Sequence, residues 1–374
     1  MLIQLGGLGV MTFGALALQV IGQRLSMTSH EALEGAFSQG LTRGGMRRAI
    51  PRIVLLTLTC EVIGALLLYT GTRSQPQPAG WFAALFLSVS AFCNAGFSVY
   101  SDSVISLRHA PIFMTTLMLL IIVGGLGHLV VFELLKRAAA AVRGRRPETV
   151  RWSLHARIVL TTSAVLLVGG AALLAATGAG ASEGGWRGRA AAALFQSVSA
   201  RTAGFNSVDI GALPLPSLMI LIPLMFIGGS PGSCAGGVKT TSLTVWLARV
   251  FARLRDEDDV TIFERRIPHE VVRRAALVIA VSVLWNAIGI FLLACTERIE
   301  TINQFEGIIF EQVSAFGTVG LSTGVTPHLS PIGRLWIIAS MFVGRVGPLT
   351  IALMVLKPRA GRRYRYPPER VMIG

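Results

Sequence analysis

Three stretches decide how this chain folds: SVSAFCNAGFS at residues 88–98, SVSARTAGFNS at 197–207 and QVSAFGTVGLS at 312–322. Each ends a short apolar run in small residues and a glycine, and the closing glycines, Gly96, Gly204 and Gly320, stand 108 and 116 residues apart. Recurrence at such a period, with long apolar runs flanking every copy, marks a membrane protein built from repeated units around a shared axis. The run before the first glycine covers only residues 81–92, whereas a bilayer crossing takes about 20 helical residues. These runs are therefore expected to enter the membrane and turn back.

Composition agrees. The 374 residues are 52% hydrophobic and 14% charged, with a mean hydropathy of +0.64, outside the usual range of soluble domains. Apolar runs at 50–70, 112–135, 157–177, 218–250 (interrupted), 274–295 and 332–356 have the length of spans, and another runs from Met1 to about residue 24. Without a basic region ahead of it, that first run reads as a spanning helix entered part-way and not as a cleaved signal.

The net charge of +15 raises the question of nucleic acid, but 25 of the 34 Lys and Arg fall in four connections, 24–52, 136–157, 249–274 and 357–370. Alternate connections such as 71–80 and 296–303 carry little positive excess. The positive-inside rule puts the basic connections in the cytoplasm and the glycine motifs toward the outside. No basic, aromatic-interleaved domain stands apart from the membrane, so a nucleic-acid partner is not expected. Cys60, Cys93, Cys234 and Cys295 form no CxxC pair and read as small buried hydrophobes. No catalytic triad, metal cluster or redox motif stands out, so no enzyme and no bound cofactor are expected.

The expected fold is an all-α polytopic membrane protein of helix, pore loop and helix units around a central pore. Unit 2 covers 50–155, unit 3 covers 156–272 with an interrupted inner helix, and unit 4 covers 273–374 with a basic cytoplasmic tail. Residues 1–49 read as the inner helix and connection of an incomplete unit 1, whose remainder is expected upstream of Met1. The inner helices, expected at 112–135, 218–250 and 332–357, share glycine-rich centres, such as Gly124-Gly125-Leu126-Gly127 and Gly344-Arg345-Val346-Gly347, which favour close packing between membrane helices.

Backbone that leaves helical form within a bilayer is tolerated where it lines a cavity or lies buried in protein. Asn94, Ala95, Gly96, Thr202, Ala203, Gly204, Thr318, Val319 and Gly320 are therefore expected to face one axis. Glycine permits angles that aim carbonyl oxygens inward, and carbonyls replace the hydration shell of a cation. The C-terminal ends of the short helices add partial negative charge. Neutral ligands suit a large monovalent cation better than Mg²⁺ or Ca²⁺, which take carboxylates and water; potassium is the natural permeant ion, with sodium next. A single such glycine would be read as an ordinary helix cap, but three matched copies favour the pathway.

These residues resemble the Trk/Ktr/HKT superfamily of potassium transporters, most closely its KtrB-like (NtpJ-like) membrane subunits. The carriers are SAFCNAGF, SARTAGFN, SAFGTVGLSTG, the loop GGSPGSCAGGVKTT and MFVGRVGP, and the resemblance covers essentially the whole chain. It implies a pore of four pseudo-repeated units with one filter glycine in each. Gly96, Gly204 and Gly320 match three of them, while the first outer helix and first pore loop have no counterpart here. It also implies a homodimer, a cytoplasmic nucleotide-binding regulatory subunit of the KtrA/TrkA kind, and a place in the bacterial inner membrane.

The segment from Gly228, Gly229, Ser230, Pro231, Gly232 and Ser233 through Cys234 and Ala235 to Gly236 and Gly237 interrupts the inner helix of unit 3, because glycine and proline remove helix propensity. It is expected to act as a gate below the filter, a role that the resemblance also implies. A phosphate-binding loop is excluded because Val238 separates Gly237 from Lys239; a passive kink is the bland competitor. Lys239 is expected to meet acceptors on neighbouring helices or to repel cations. Arg345, a charge costing about 2.5–3.5 kcal/mol inside a membrane, is expected to face a polar interior, and by resemblance to help form the barrier. Glu61, Glu133 and Glu311 are the candidate membrane-embedded carboxylates, with Glu311 supporting the filter, while His128 reads as a packed polar residue. The function expected is potassium uptake through a glycine-carbonyl filter. The alternatives are a secondary transporter of a small solute, with sodium or proton coupling unread, or a truncated fragment inactive alone.

Overall fold

A computed structural model describes residues 2–7, 43–73, 78–144, 152–180, 185–297 and 301–347. The chain from 8 to 42, which holds most of the expected inner helix of unit 1, and the tail beyond 347 lie outside the described residues. The elements are α1 (Arg43–Gly71), α2 (Trp81–Phe92), α3 (Pro111–Leu126), α4 (His128–Val142), α5 (Leu154–Ala176), α6 (Gly185–Ser199), α7 (Leu215–Phe226), α8 (Thr240–Leu254), the hairpin β1 (Thr261–Ile262) and β2 (Arg265–Arg266), α9 (His269–Thr296), α10 (Ile302–Gly317) and α11 (Pro331–Val346). Residues 2–7 are also helical.

Within α1, α5 and α9 lie segments long and apolar enough to cross a membrane, and only about a third or less of each segment is buried. That balance suits helices with one face on protein and the rest on lipid. Each packs against the short helix that follows it: α1 on α2, α5 on α6, α9 on α10. A glycine on the long helix meets the first residue of each SVSA-type motif. A Cβ added at Gly64 would lie 2.5 Å from Ser88 Oγ and one at Gly170 2.6 Å from Ser197 Oγ, while one at Gly289 would overlap Gln312. Ser88 Oγ donates to Glu61 O at 2.7 Å and Ser197 Oγ to Leu167 O at 2.8 Å, in both cases three residues before that glycine. Local chemistry sets the helix starts. Thr301 and Gln304 form a capping box on α10, and the Ser153 and Ser330 hydroxyls accept from Ala156 N and Gly333 N to open α5 and α11.

Successive units lean on each other in one direction. The inner helix α3 packs on α6, and α7 packs on α10. The cores follow the same rule: Phe195, Val198, Ala203 and Phe205 of unit 3 join a cluster built on α2 and α3, and Phe310, Val313, Val319 and Leu321 of unit 4 join the cluster of unit 3.

The structure corrects the expectation of continuous inner helices at 112–135 and 332–357. α3 stops at Leu126, where Gly127 takes φ 85° and the chain turns by 111° into α4. α11 stops at Val346, before Gly347 at φ 99°. The glycine-rich centres are thus stop signals as well as packing sites. A Cβ at Gly124 would overlap Phe92 O, and one at Gly344 would overlap Phe316 O, so in both units the pore-helix end rests on an inner-helix glycine. Glu133 lies on α4, past the bend after Leu126. It accepts from Ser153 N and Ser153 Oγ, both at 2.7 Å, and so fastens the start of α5 beside the basic connection.

Candidate functional site

All three motifs adopt one backbone turn. Asn94 and Gly96 have φ of 48° and 71°, Thr202 and Gly204 of 71° and 78°, and Thr318 and Gly320 of 52° and 93°. Left-handed φ is uncommon for a residue with a side chain and is held only where the surroundings over-determine it. The closing bonds recur as well: Ala95 N donates to Ser90 O at 2.8 Å, Ala203 N to Ser199 O at 3.0 Å and Val319 N to Ser314 O at 2.9 Å. Ser199 Oγ and Ser314 Oγ donate, each at 2.6 Å, to Phe205 O and Leu321 O, the carbonyls just after the glycines.

The turns lie side by side. A Cβ on Gly96 would overlap Ala203 O and lie 3.2 Å from Gly204 Cα; one on Gly204 would overlap Val319 O and lie 3.3 Å from Gly320 Cα. Glycine is required because the backbone of the next turn occupies the space a side chain would need. Asn94 and Thr202, at matching positions, are hydrogen-bonded at 3.2 Å; with the amide oriented to satisfy its surroundings, Asn94 also donates to Ala91 O at 3.1 Å and Ile121 O at 3.3 Å. The nine residues expected to share an axis are thus brought together, and none carries a charge.

The return from the third turn is held by Glu311, which accepts from Ser322 Oγ, from Thr323 N at 3.0 Å and from Thr326 Oγ1 at 2.7 Å. Replacing Glu311 with Ala orphans these donors, whose half-exposed positions keep some access to water. We expect a loss of about 1–3 kcal/mol, read as a lowered thermal unfolding midpoint of the purified protein in detergent, with Glu311→Gln intermediate.

The segment 228–237 is a buried loop pinched at its neck, where Gly228 N donates to Val238 O at 2.9 Å and Val238 N to Phe226 O at 3.1 Å. It touches all three described units on the pore-helix side of the turns. Ser230 N and Cys234 N donate to Gly125 O at 3.0 Å and Gly124 O at 3.3 Å, and His128 N donates to Gly232 O at 3.1 Å. The two glycine carbonyls freed where α3 breaks therefore receive their hydrogen bonds from the loop. The His128 ring adds Nδ1 to Gly232 O at 3.0 Å. In unit 3, an Arg201 Nη donates to Gly228 O at 3.4 Å and to Ser163 Oγ at 3.3 Å. Against unit 4, a Cβ at Gly236 would overlap Thr318 Oγ1 and lie 3.1 Å from Gly317 O.

Cations gather here. Lys239 Nζ donates to Ala235 O within its own loop, so its acceptor is local and not on a neighbouring helix. Arg345 donates to Gly6 O at 3.3 Å and lies within electrostatic reach of Lys239. Among the described residues Glu61, Glu133 and Glu311 all bond elsewhere, and none pairs with Arg345. Arg201 is a further functional candidate that the sequence reading passed over. It is 8% exposed, forms no ion pair among the described residues, and its Nε has no hydrogen-bond partner. The available signal was a length difference: between SVSA and the TAG of unit 3 stands one residue, Arg201, where the other motifs have Phe92-Cys93 and Phe316-Gly317.

Comparison with known proteins follows the same lines. The sequence profile of TrkH, described as a cation transport protein, matches residues 1–172 and 185–360. The chain is 36% identical to the Ktr system potassium uptake protein B of Bacillus subtilis, with 100% of this chain and 82% of that protein covered. It is also 36% identical to the protein of the same name from Vibrio alginolyticus, over 100% and 80%. Identity to the potassium/sodium uptake protein NtpJ of Enterococcus hirae is 35%, over 100% and 82%. Among solved structures, the potassium transporter TrkH of Vibrio parahaemolyticus superposes with a TM-score of 0.71 at 18% identity, over 94% of this chain and 70% of that one.

Proposed function

Because this chain belongs to the TrkH family of cation transport proteins, we propose that it carries potassium inward across the bacterial plasma membrane, through a filter made of main-chain carbonyls. The observation that carries the reading is the row of three left-handed turns packed glycine against carbonyl. Carbonyl oxygens around such an axis offset the dehydration of a large monovalent ion, and the ends of α2, α6 and α10 add partial negative charge. The driving force is the membrane potential, about 2.3 kcal/mol per charge per 100 mV. The names of the relatives, potassium uptake proteins of Ktr systems and a potassium/sodium uptake protein, support both the ion and a role as the membrane subunit of a larger assembly. We extend the reading to four pore units, a homodimer, and a nucleotide-binding regulatory ring on the basic cytoplasmic face.

The loop 228–237 is the gate in this reading, supported by its contacts to three units, and Lys239 and Arg345 add a positive barrier behind the turns. The test is rubidium uptake in cells lacking other potassium systems. Uptake that requires this chain and no organic solute supports the reading, whereas solute-coupled uptake transfers it to a secondary transporter. A fixed charge about 10 Å from the path at an effective dielectric near 20 acts on a passing ion by roughly 1.7 kcal/mol. Arg345→Gln is therefore expected to raise rubidium uptake by up to about 15-fold, measured as initial rate at matched expression.

A further inference from the structure

The pore helix of unit 4 is seated differently from the other two. In units 2 and 3 a serine opens the motif and a leucine stands opposite it on the inner helix: Cβ atoms added at Gly64 and Gly170 would meet not only Ser88 and Ser197 but also Leu120 Cδ1 at 2.7 Å and Leu224 Cδ1 at 2.9 Å. Leu120 and Leu224 precede Gly124 and Gly228 by four residues, and at the same spacing before Gly344 stands Ser340. Unit 4 therefore exchanges the pair, with the long side chain, Gln312, on the pore helix and the short one on the inner helix. Gln312 and Ser340 are both wholly buried.

The exchange replaces an apolar contact with hydrogen bonds. Gln312 Oε1 accepts from Trp336 Nε1 at 3.0 Å, Gln312 Nε2 donates to Ser340 Oγ at 3.3 Å, and Ser340 Oγ also accepts from Trp285 Nε1 at 3.2 Å. An indole N–H only donates, so Trp336 fixes which amide atom faces it. The indoles of Trp285 on α9 and Trp336 on α11 stack with centroids 5.0 Å apart and planes 16° from parallel. All three helices of unit 4 are thus tied at one point.

We propose that Gln312 is a positioning residue for ion discrimination, whose amide fixes the register of α10 and through it the placement of the third turn. The inference rests on the reading of the three turns as an ion filter. Gln312 lies six residues before Thr318, about 9 Å along the helix. The return of that turn is tied to the preceding residue, Glu311, so helix and turn move together. Apolar contacts are non-directional, whereas hydrogen bonds weaken steeply as they bend and a buried indole N–H left without an acceptor is costly. The polar seat therefore holds α10 in one register where an apolar seat would let it slide.

The experiment reconstitutes the full chain in liposomes and compares initial rates of rubidium and sodium uptake. Gln312→Met keeps the length of the side chain and removes both amide atoms; Gln312→Ser combined with Ser340→Leu restores the pairing of units 2 and 3; Trp336→Phe removes the donor alone. We expect each to lower the rubidium-to-sodium ratio by about three- to tenfold, the effect that one lost hydrogen bond supplies, and Trp336→Phe to add nothing further in the Gln312→Met background. Loss of folded protein lowers both rates and leaves their ratio unmoved. An unchanged ratio in any folded variant of the three, or additive falls for Gln312→Met and Trp336→Phe, overturns the proposal while leaving the transport reading intact. Absence of rubidium uptake by the parent instead overturns the transport reading on which it stands.

Discussion

Replacing Gly204 with Ser is expected to abolish most discrimination between potassium and sodium. The new Cβ overlaps Val319 O of the next turn, and φ of 78° is a conformation that serine adopts at a cost, about 1–2 kcal/mol for a left-handed residue. Relief requires the turns of units 3 and 4 to part by about an ångström, because the added Cβ would stand well inside contact distance of that oxygen. That displacement exceeds what a close-fitting carbonyl cage tolerates when two alkali ions are told apart by size and field strength. Each 1.4 kcal/mol is a tenfold change, so the rubidium-to-sodium uptake ratio should fall by tenfold or more. Gly169→Ser on α5 is the control, since nothing lies within 4 Å of its added Cβ and serine costs little there. An unchanged ratio in a folded Gly204→Ser protein would remove these turns from the selectivity argument.

Deleting residues 230–236 is expected to raise cation flux by about tenfold or more, the equivalent of at least 1.4 kcal/mol of barrier. The neck makes the deletion feasible. Ile227 and Val238 already form a bridge, so the three residues left between them span the gap with chain to spare. The lost loop N–H groups leave Gly124 O and Gly125 O without partners, and water entering the vacated space can replace them. A monodisperse detergent-purified variant with unchanged flux would show that the loop does not limit permeation.

The parts of this molecule that were legible in its sequence are those encoded locally. Short apolar runs, repeated glycines and the glycine-proline interruption declare themselves within ten or so residues, so the short helices, the three turns and the break after Phe226 are all readable. The break at Gly127 was not, although Gly124-Gly125-Leu126-Gly127 is plain to see. Its hydrogen bonds come from Ser230 and Cys234, about a hundred residues away, and a glycine-rich helix centre also fits simple close packing. The same holds for Arg201. An arginine inside an apolar motif signals something, but its seat between Ser163 and Gly228 is made by two other elements. Glu133 is a further case: its place in an apolar run is plain, but only the bend after Leu126 carries it to the start of α5. The family profile and the relatives extend the local reading by supplying a family, while the seating of individual side chains still had to come from three dimensions.

The shortened turn of unit 3 has a mechanical consequence. Its neighbours each spend one more residue between the SVSA-type motif and the glycine, and of the three turns it alone carries an arginine that grips the neck of the loop. The three described sectors are thus not interchangeable, and under the proposed gating they would not part evenly like the blades of a camera iris. In that proposed gating, motion of the loop would swing from the Arg201 flank, so that the passage would open as a hinged door does, from one jamb.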